Sequence, residues 1–223
     1  MTIRISLTTK RSESDSRSRN EVRLYLFRHG YTRYNLEKRY QGRSDLPLLK
    51  QEMERIQPYR FQDDSVPALS GPVRFGSEKS LSSVSENEQA VYVSPALRAR
   101  QTAGLLFPGM KQIIVPKFQE MDFGIFEGRS ADEMEDDPQY RSWVDSMCEA
   151  PVPGGESRAQ FTERVAGCFE IIAKEELDKG QKRLIIVAHG GVQMAVMDRF
   201  GPKDRPYWAW QTEPAAAVEA VIS

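Results

Sequence analysis

The chain holds two histidines, and each opens a His-Gly pair at the end of a short apolar run. The first run is Val22-Arg23-Leu24-Tyr25-Leu26-Phe27-Arg28, followed by His29-Gly30. The second is Leu184-Ile185-Ile186-Val187-Ala188, followed by His189-Gly190-Gly191. Imidazole titrates near neutral pH and can act as nucleophile, base or phosphate partner. A buried strand ending in a tight turn would put each ring at the strand's C-terminal tip, where open α/β sheets bind ligands. Arg28 adds a planar, permanently charged donor fork suited to phosphate oxygens. These residues point to one phosphate-handling site.

Two further stretches carry candidate chemistry. In Ser94-Pro95-Ala96-Leu97-Arg98, serine suits a helix N-cap and proline the first helical position. Arg98 would then sit on the first turn, where a guanidinium adds to the anion site at the helix's positive end. Arg100 reads instead as a solvated helix charge. In Glu120-Met121-Asp122-Phe123-Gly124-Ile125-Phe126-Glu127-Gly128, the three acids are candidates for proton transfer or for capping the next helix. Residue type and spacing do not separate Glu120, Asp122 and Glu127. A helix starting directly after His189 would turn backbone N–H groups toward the same place.

The elements that must position these groups alternate between strand and helix. Strands are expected at 22–27, 91–93, 112–115, 183–188 and 215–222. Helical segments are expected at 49–59, from Ser94 to about Phe107, at 130–147 with a break at Pro138, and at 191–200. Ser157 and Gln160 have capping-box spacing. They open a helix whose core face carries Phe161, Val165, Cys168, Phe169 and Ile172 and which ends near Gly180. Residues 31–42 read as loop or short helix, and 62–89 as loop or insertion. The alternation implies a three-layer α/β/α fold with a central, mostly parallel sheet.

Bulk properties narrow the function classes. The chain has 223 residues, 39% hydrophobic and 28% charged, with a formal net charge of -1. That suits one domain over residues 21–223 behind a flexible, polar N-terminal tail at 1–20. The charge balance argues against a nucleic-acid or membrane footprint. No apolar run approaches membrane-spanning length, and no signal-peptide core opens the chain. Cys148 and Cys168 are isolated, with no metal-ligand spacing, and suit reduced thiols in a cytoplasmic protein.

The order Arg28-His29-Gly30, Ser94-Pro95-x-x-Arg98-Ala99-x-Gln101-Thr102-Ala103, Glu120-x-x-x-Gly124-x-x-Glu127-Gly128 and His189-Gly190 resembles the histidine phosphatase superfamily, which includes the phosphoglycerate mutases. Pro153-Gly154-Gly155-Glu156-Ser157 is similar to a stretch of its phosphatase branch, near the alpha-ribazole phosphatases. The resemblance implies the phosphoglycerate mutase-like fold and a metal-independent phosphomonoester hydrolase that works through phosphohistidine without a cofactor. The implied substrate is a small phosphorylated metabolite, with alpha-ribazole 5′-phosphate one candidate. By the same resemblance His29 is the nucleophile and Glu120 the proton donor, with Arg28, Arg98 and His189 stabilising the phosphoryl oxygens. Asn35, Gln41, Gly42 and Gly190 would line the phosphate and substrate pocket.

Two departures bear on substrate rather than chemistry. Tyr31 stands where most members carry glutamate, and Leu49-Lys50-Gln51-Glu52 replaces the family's usual Thr-x-x-Gly helix start. Alternatives are a phosphomutase with the same residues, an inactive phosphate-binding relative, and a metallohydrolase using both histidines. The span 121–188 is short for a mutase insertion, and a His-x-x-x-His pair for the metal is missing.

Overall fold

A computed structural model describes residues 2–7, 21–61 and 89–223. Among these, six strands form one sheet in the order β1-β6-β2-β5-β3-β4. The four strands β2 (Val22–Arg28), β5 (Arg183–Ala188), β3 (Ala90–Val93) and β4 (Lys111–Ile114) run parallel. Strand β6 (Ala217–Ile222) pairs antiparallel with both β2 and β1 (Ile5–Leu7).

The period-2 alternation of β2 divides the core. Leu24 and Leu26 face one layer with Leu184 and Ile186, against α5 (Arg158–Asp178) and α6 (Gly190–Phe200). Tyr25 and Phe27 face the other with Ile185 and Val187, against α3 (Leu97–Leu106) and against Leu48 and Ile56, which flank α2 (Lys50–Arg55). The sheet is therefore covered on both faces, as buried parallel strands require. On α5, Phe161, Val165 and Phe169 are buried at helical spacing, each such side chain contributing about 1.5–3 kcal/mol. The Ser157–Gln160 capping box is formed as expected.

Several elements differ from the sequence reading. Part of the expected N-terminal tail is strand β1, with Ile3 and Ile5 buried; residues 8–20 lie outside the described residues. Antiparallel pairing with β1 covers the edge that β6 would otherwise leave open. Of the expected loop or insertion at 62–89, residues 62–88 also lie outside the described residues. The expected helix at 49–59 is confined to α2. Ser94 and Pro95 do not start α3: Ala96 is its N-cap, and the Ser94 hydroxyl is used elsewhere. The 130–147 segment is a 3-10 turn at Asp132–Met134 followed by α4 (Pro138–Asp145), which Asp137 caps through its side chain. Trp143 and Trp210 are core residues, while Trp208 is exposed. Among the described residues no helix is long and apolar enough to cross a membrane.

Candidate active site

Strand register brings the two histidines together. Arg28 and Ala188 are Cα partners in the β2–β5 ladder, so His29 and His189 are the next pair beyond it. The His29 amide continues the ladder to Ala188 O at 2.9 Å, and Ser94 N does the same to Val187 O at 3.0 Å. The ends of three adjacent parallel strands thus deliver His29, His189 and Ser94 to one spot. The imidazole centroids are 5.2 Å apart and the rings are inclined at 68°.

The Gly30 carbonyl fixes the proton on the His29 ring. His29 Nδ1 lies 2.7 Å from Gly30 O. A carbonyl only accepts, so Nδ1 carries the proton and Nε2 keeps its lone pair. Ser94 Oγ accepts from Ala96 N at 3.3 Å and lies 2.7 Å from His189 Nε2. We assign the Ser94 proton to the bond with Nε2, the arrangement in which His189 Nδ1 carries a proton and can donate to a phosphoryl oxygen. That Nδ1 is buried without a protein partner, as are the Nε atoms of Arg28 and Arg98. Buried donors without acceptors are costly unless a ligand takes them up.

Arg98 is wholly buried on the first turn of α3. Its Nη1 donates to Ser44 O at 2.8 Å and its Nη2 to Gly42 O at 3.1 Å and Gln41 O at 3.4 Å. Thr102, one turn along, accepts from Gly30 N at 2.9 Å and donates to Arg98 O at 2.7 Å. It therefore ties the histidine turn to the arginine helix. Arg28 Nη1 donates to Thr212 O at 2.8 Å. Burial lowers the pKa of both guanidiniums from an ordinary value so high that they remain cationic.

The three acids that sequence left equivalent are separated by their partners. Glu120 is buried and accepts from Met121 N at 2.9 Å and Gly191 N at 3.0 Å. Only glycine admits that approach: a Cβ at position 191 would lie 2.1 Å from Glu120 Oε1. Asp122 accepts from Gly124 N at 3.0 Å and pairs with Arg43 at 3.1 Å. Glu127 takes Gly42 N at 2.9 Å and Ser44 N at 3.0 Å. It holds the loop whose carbonyls hold Arg98.

Electrostatics follow from burial. Desolvation, then the charge of Arg98, holds the His29 pKa well below the usual imidazole value. His189 is lowered by burial, by Arg98 and by His29. Burial pushes the Glu120 carboxyl above its ordinary range, against its two backbone N–H bonds and the two arginines. Two neutral imidazoles, two guanidiniums and a protonatable carboxyl therefore converge.

The remaining expected residues sit one step back. Asn35 closes the α1 (Arg33–Leu36) capping box with Thr32. The Gln41 side chain accepts from Thr32 Oγ1 at 2.7 Å, and its main chain and that of Gly42 serve Arg98. Gly190 is the first residue of α6, with His189 its N-cap. Tyr31 reaches Glu213 at 3.4 Å. Sequence reasoning missed the roles of Ser94, Thr102 and Glu127, all of which lie inside the motifs it quoted. Among the described residues no group of three or more His, Cys, Asp or Glu is gathered for a metal.

A family profile described as Histidine phosphatase superfamily (branch 1) matches residues 24–59 and 79–222. The chain belongs to that superfamily. Its members' catalysis makes this chain an enzyme of the phosphatase and mutase type. Relatives carry both names. The Probable phosphoglycerate mutase GpmB of Cronobacter sakazakii is 26% identical over 178 residues, 76% of this chain and 70% of that protein. The Broad-specificity phosphatase YOR283W of Saccharomyces cerevisiae is 27% identical over 186 residues, 79% and 69% of the two chains. Among solved structures, a phosphoglycerate mutase from Thermus thermophilus superposes with a TM-score of 0.58 at 28% identity, covering 89% and 92%. An Escherichia coli protein assigned as an alpha-ribazole-5′-P phosphatase has a TM-score of 0.65 at 23% identity, covering 88% of each chain. That last likeness speaks to fold alone, which is the phosphoglycerate mutase-like α/β/α fold.

Proposed function

We propose that this superfamily member is a metal-independent phosphomonoester hydrolase acting through phosphohistidine at His29 on a small phosphorylated metabolite. The observation that carries this is the convergence of three buried, unpartnered donor atoms, Arg28 Nε, Arg98 Nε and His189 Nδ1, around a ring whose Nε2 is unprotonated.

His29 Nε2 attacks phosphorus in line, and the bond from phosphorus to the ester oxygen breaks. The proton stays on Nδ1, which donates it to Gly30 O, and that bond steadies the cationic phosphoimidazole. Glu120, whose pKa burial raises, gives its proton to the leaving oxygen. The resulting carboxylate then takes a proton from water, whose oxygen attacks phosphorus and breaks the P–N bond. Phosphate leaves and His29 returns to its neutral form. Arg28, Arg98 and His189 bear the charge on the equatorial oxygens, the work that magnesium does in other phosphoryl-transfer enzymes.

Hydrolysis of p-nitrophenyl phosphate in excess chelator tests this reading. Turnover is expected in the parent and is expected to vanish in His29→Ala. Undiminished turnover in the variant would overturn the nucleophile assignment. Loss of parental turnover in the chelator would overturn metal independence. Alpha-ribazole 5′-phosphate, a sugar phosphate and a phosphoglycerate form the substrate screen that follows.

A further inference from the structure

The stretch Pro153-Gly154-Gly155-Glu156-Ser157 has no part in the reaction above, yet it is locked to the segment that carries Glu120. Glu156 precedes the α5 N-cap, and Arg164 stands two turns into that helix. Their side chains form a fork: Arg164 Nε donates to Oε1 at 2.8 Å and Nη2 to Oε2 at 2.7 Å. Both are four-fifths buried, with 20% and 18% of the side chains exposed. The other donors of Arg164 go to main chain on the N-terminal side of the acid. Nη1 bonds Lys117 O at 2.8 Å and Gln119 O at 3.1 Å, and Nη2 reaches Glu120 O at 3.5 Å. Glu156 holds the C-terminal side, accepting from Asp122 N at 3.0 Å through its carboxylate and donating its own N–H to Asp122 O at 3.0 Å. The two strips of backbone touch so closely that a Cβ at Gly155 would lie 2.3 Å from Asp122 O. Between these fixed points only Met121 is left, and its N–H is spent on the Glu120 carboxyl.

We infer that Glu156 and Arg164 are a positioning pair that holds Glu120 in place for proton transfer. The inference rests on the phosphatase reading above. A general acid must stand within hydrogen-bond reach of the leaving oxygen, and a misplacement of about 1 Å can cost about a hundredfold in rate. The pair meets that demand by bonding backbone on both sides of the acid. Lysine at 164 keeps the charge but cannot reproduce the planar fork and the backbone bonds together. Glutamine at 156 turns an amide N–H toward donors and loosens the same clamp.

The test compares an ester that needs the proton with one that does not. The kcat/KM of the full chain is measured for β-glycerophosphate and for p-nitrophenyl phosphate in the parent, Glu156→Gln, Arg164→Lys, Glu120→Gln and the Glu120→Gln/Glu156→Gln double variant. Melting temperatures are recorded alongside. In Glu156→Gln and Arg164→Lys the alkyl ester is expected to lose about ten- to a hundredfold more than the aryl ester. Adding Glu156→Gln to Glu120→Gln is expected to leave the alkyl-to-aryl ratio where Glu120→Gln put it, because residues acting through one group are not additive. Equal losses on both esters, or a further drop of the ratio in the double variant, would overturn the inference. Should Glu156→Gln fail to fold, Arg164→Lys carries the same ratio test. A parent that hydrolyses neither ester would remove the phosphatase reading and this role with it. A parent that hydrolyses both, with an unchanged ratio in the variants, would remove the positioning role alone.

Discussion

Removing the Ser94 hydroxyl isolates the part of the site that sequence motifs describe least. Ser94 is wholly buried and serves two partners, His189 Nε2 at 2.7 Å and Ala96 N at 3.3 Å. In Ser94→Ala the imidazole nitrogen is left unpaired where water does not reach. That costs about 1–3 kcal/mol, and the long Ala96 contact adds little. For a chain of this size the loss corresponds to a fall in Tm of about 2–12 °C. The kinetic effect follows from the proton. With no hydroxyl on Nε2, His189 is free to move its proton there and turn a lone pair toward the phosphoryl oxygens. Losing a single transition-state donor costs about 10²–10³ in kcat, and that bounds the effect from above. The assay is thermal unfolding with steady-state hydrolysis of p-nitrophenyl phosphate, and Ser94→Thr should restore part of both. Turnover within threefold of the parent, with Tm within a degree, would refute the assignment of the His189 proton.

Other consequences can be measured independently. Arg98→Lys leaves part of the carbonyl set of Ser44, Gly42 and Gln41 unpaired. It should cost about 1–3 kcal/mol per orphaned group and lower kcat about 10²–10³-fold; unchanged Tm and kcat would contradict the buried role of Arg98. In the proposed mechanism His29 must be neutral and Glu120 protonated. Because the first pKa is lowered and the second raised, alkyl phosphates should be turned over best on the acid side, with the acid limb of kcat/KM below about pH 6.5. An acid limb above pH 7 would contradict it. The same lowering affects stability. Below about pH 6.5 the unfolded chain binds more protons at these two histidines, so stability is full above that value and is lost as pH falls. Tm should therefore drop between pH 7 and 5, and less steeply in His189→Gln; parallel slopes would count against a buried neutral His189. Ser157→Ala removes the α5 cap and should cost about 1 kcal/mol without changing the alkyl-to-aryl ratio, as denaturant titration with both esters will check.

The parts of this architecture that were legible in sequence are those set by local rules. Strands β2 and β5 announce themselves as apolar runs cut off by His-Gly, and the Ser157–Gln160 box dictates where α5 begins. What stayed hidden depends on partners far along the chain. Ser94 has the local signature of an N-cap, but its hydroxyl is claimed by an imidazole 95 residues away. Glu120, Asp122 and Glu127 look alike as a string, and only Gly191, 71 residues from Glu120, and Gly42, 85 residues from Glu127, tell them apart. The short β1 gives too little alternation to read, and it exists because β6 offers an edge. Arg164 has an ordinary place on a helix until the fold sets it over the Glu120 backbone.

The most direct test of the central claim is to trap the intermediate. The protein, mixed with p-nitrophenyl phosphate and quenched within its first turnover, is digested under alkaline conditions that preserve phosphohistidine and mapped by mass spectrometry. A phosphoryl group on the peptide bearing His29, absent from His29→Ala and accumulating more when Glu120→Gln slows its hydrolysis, is the expected result. Sustained turnover with no phosphopeptide, or with the phosphoryl group on His189, would contradict it.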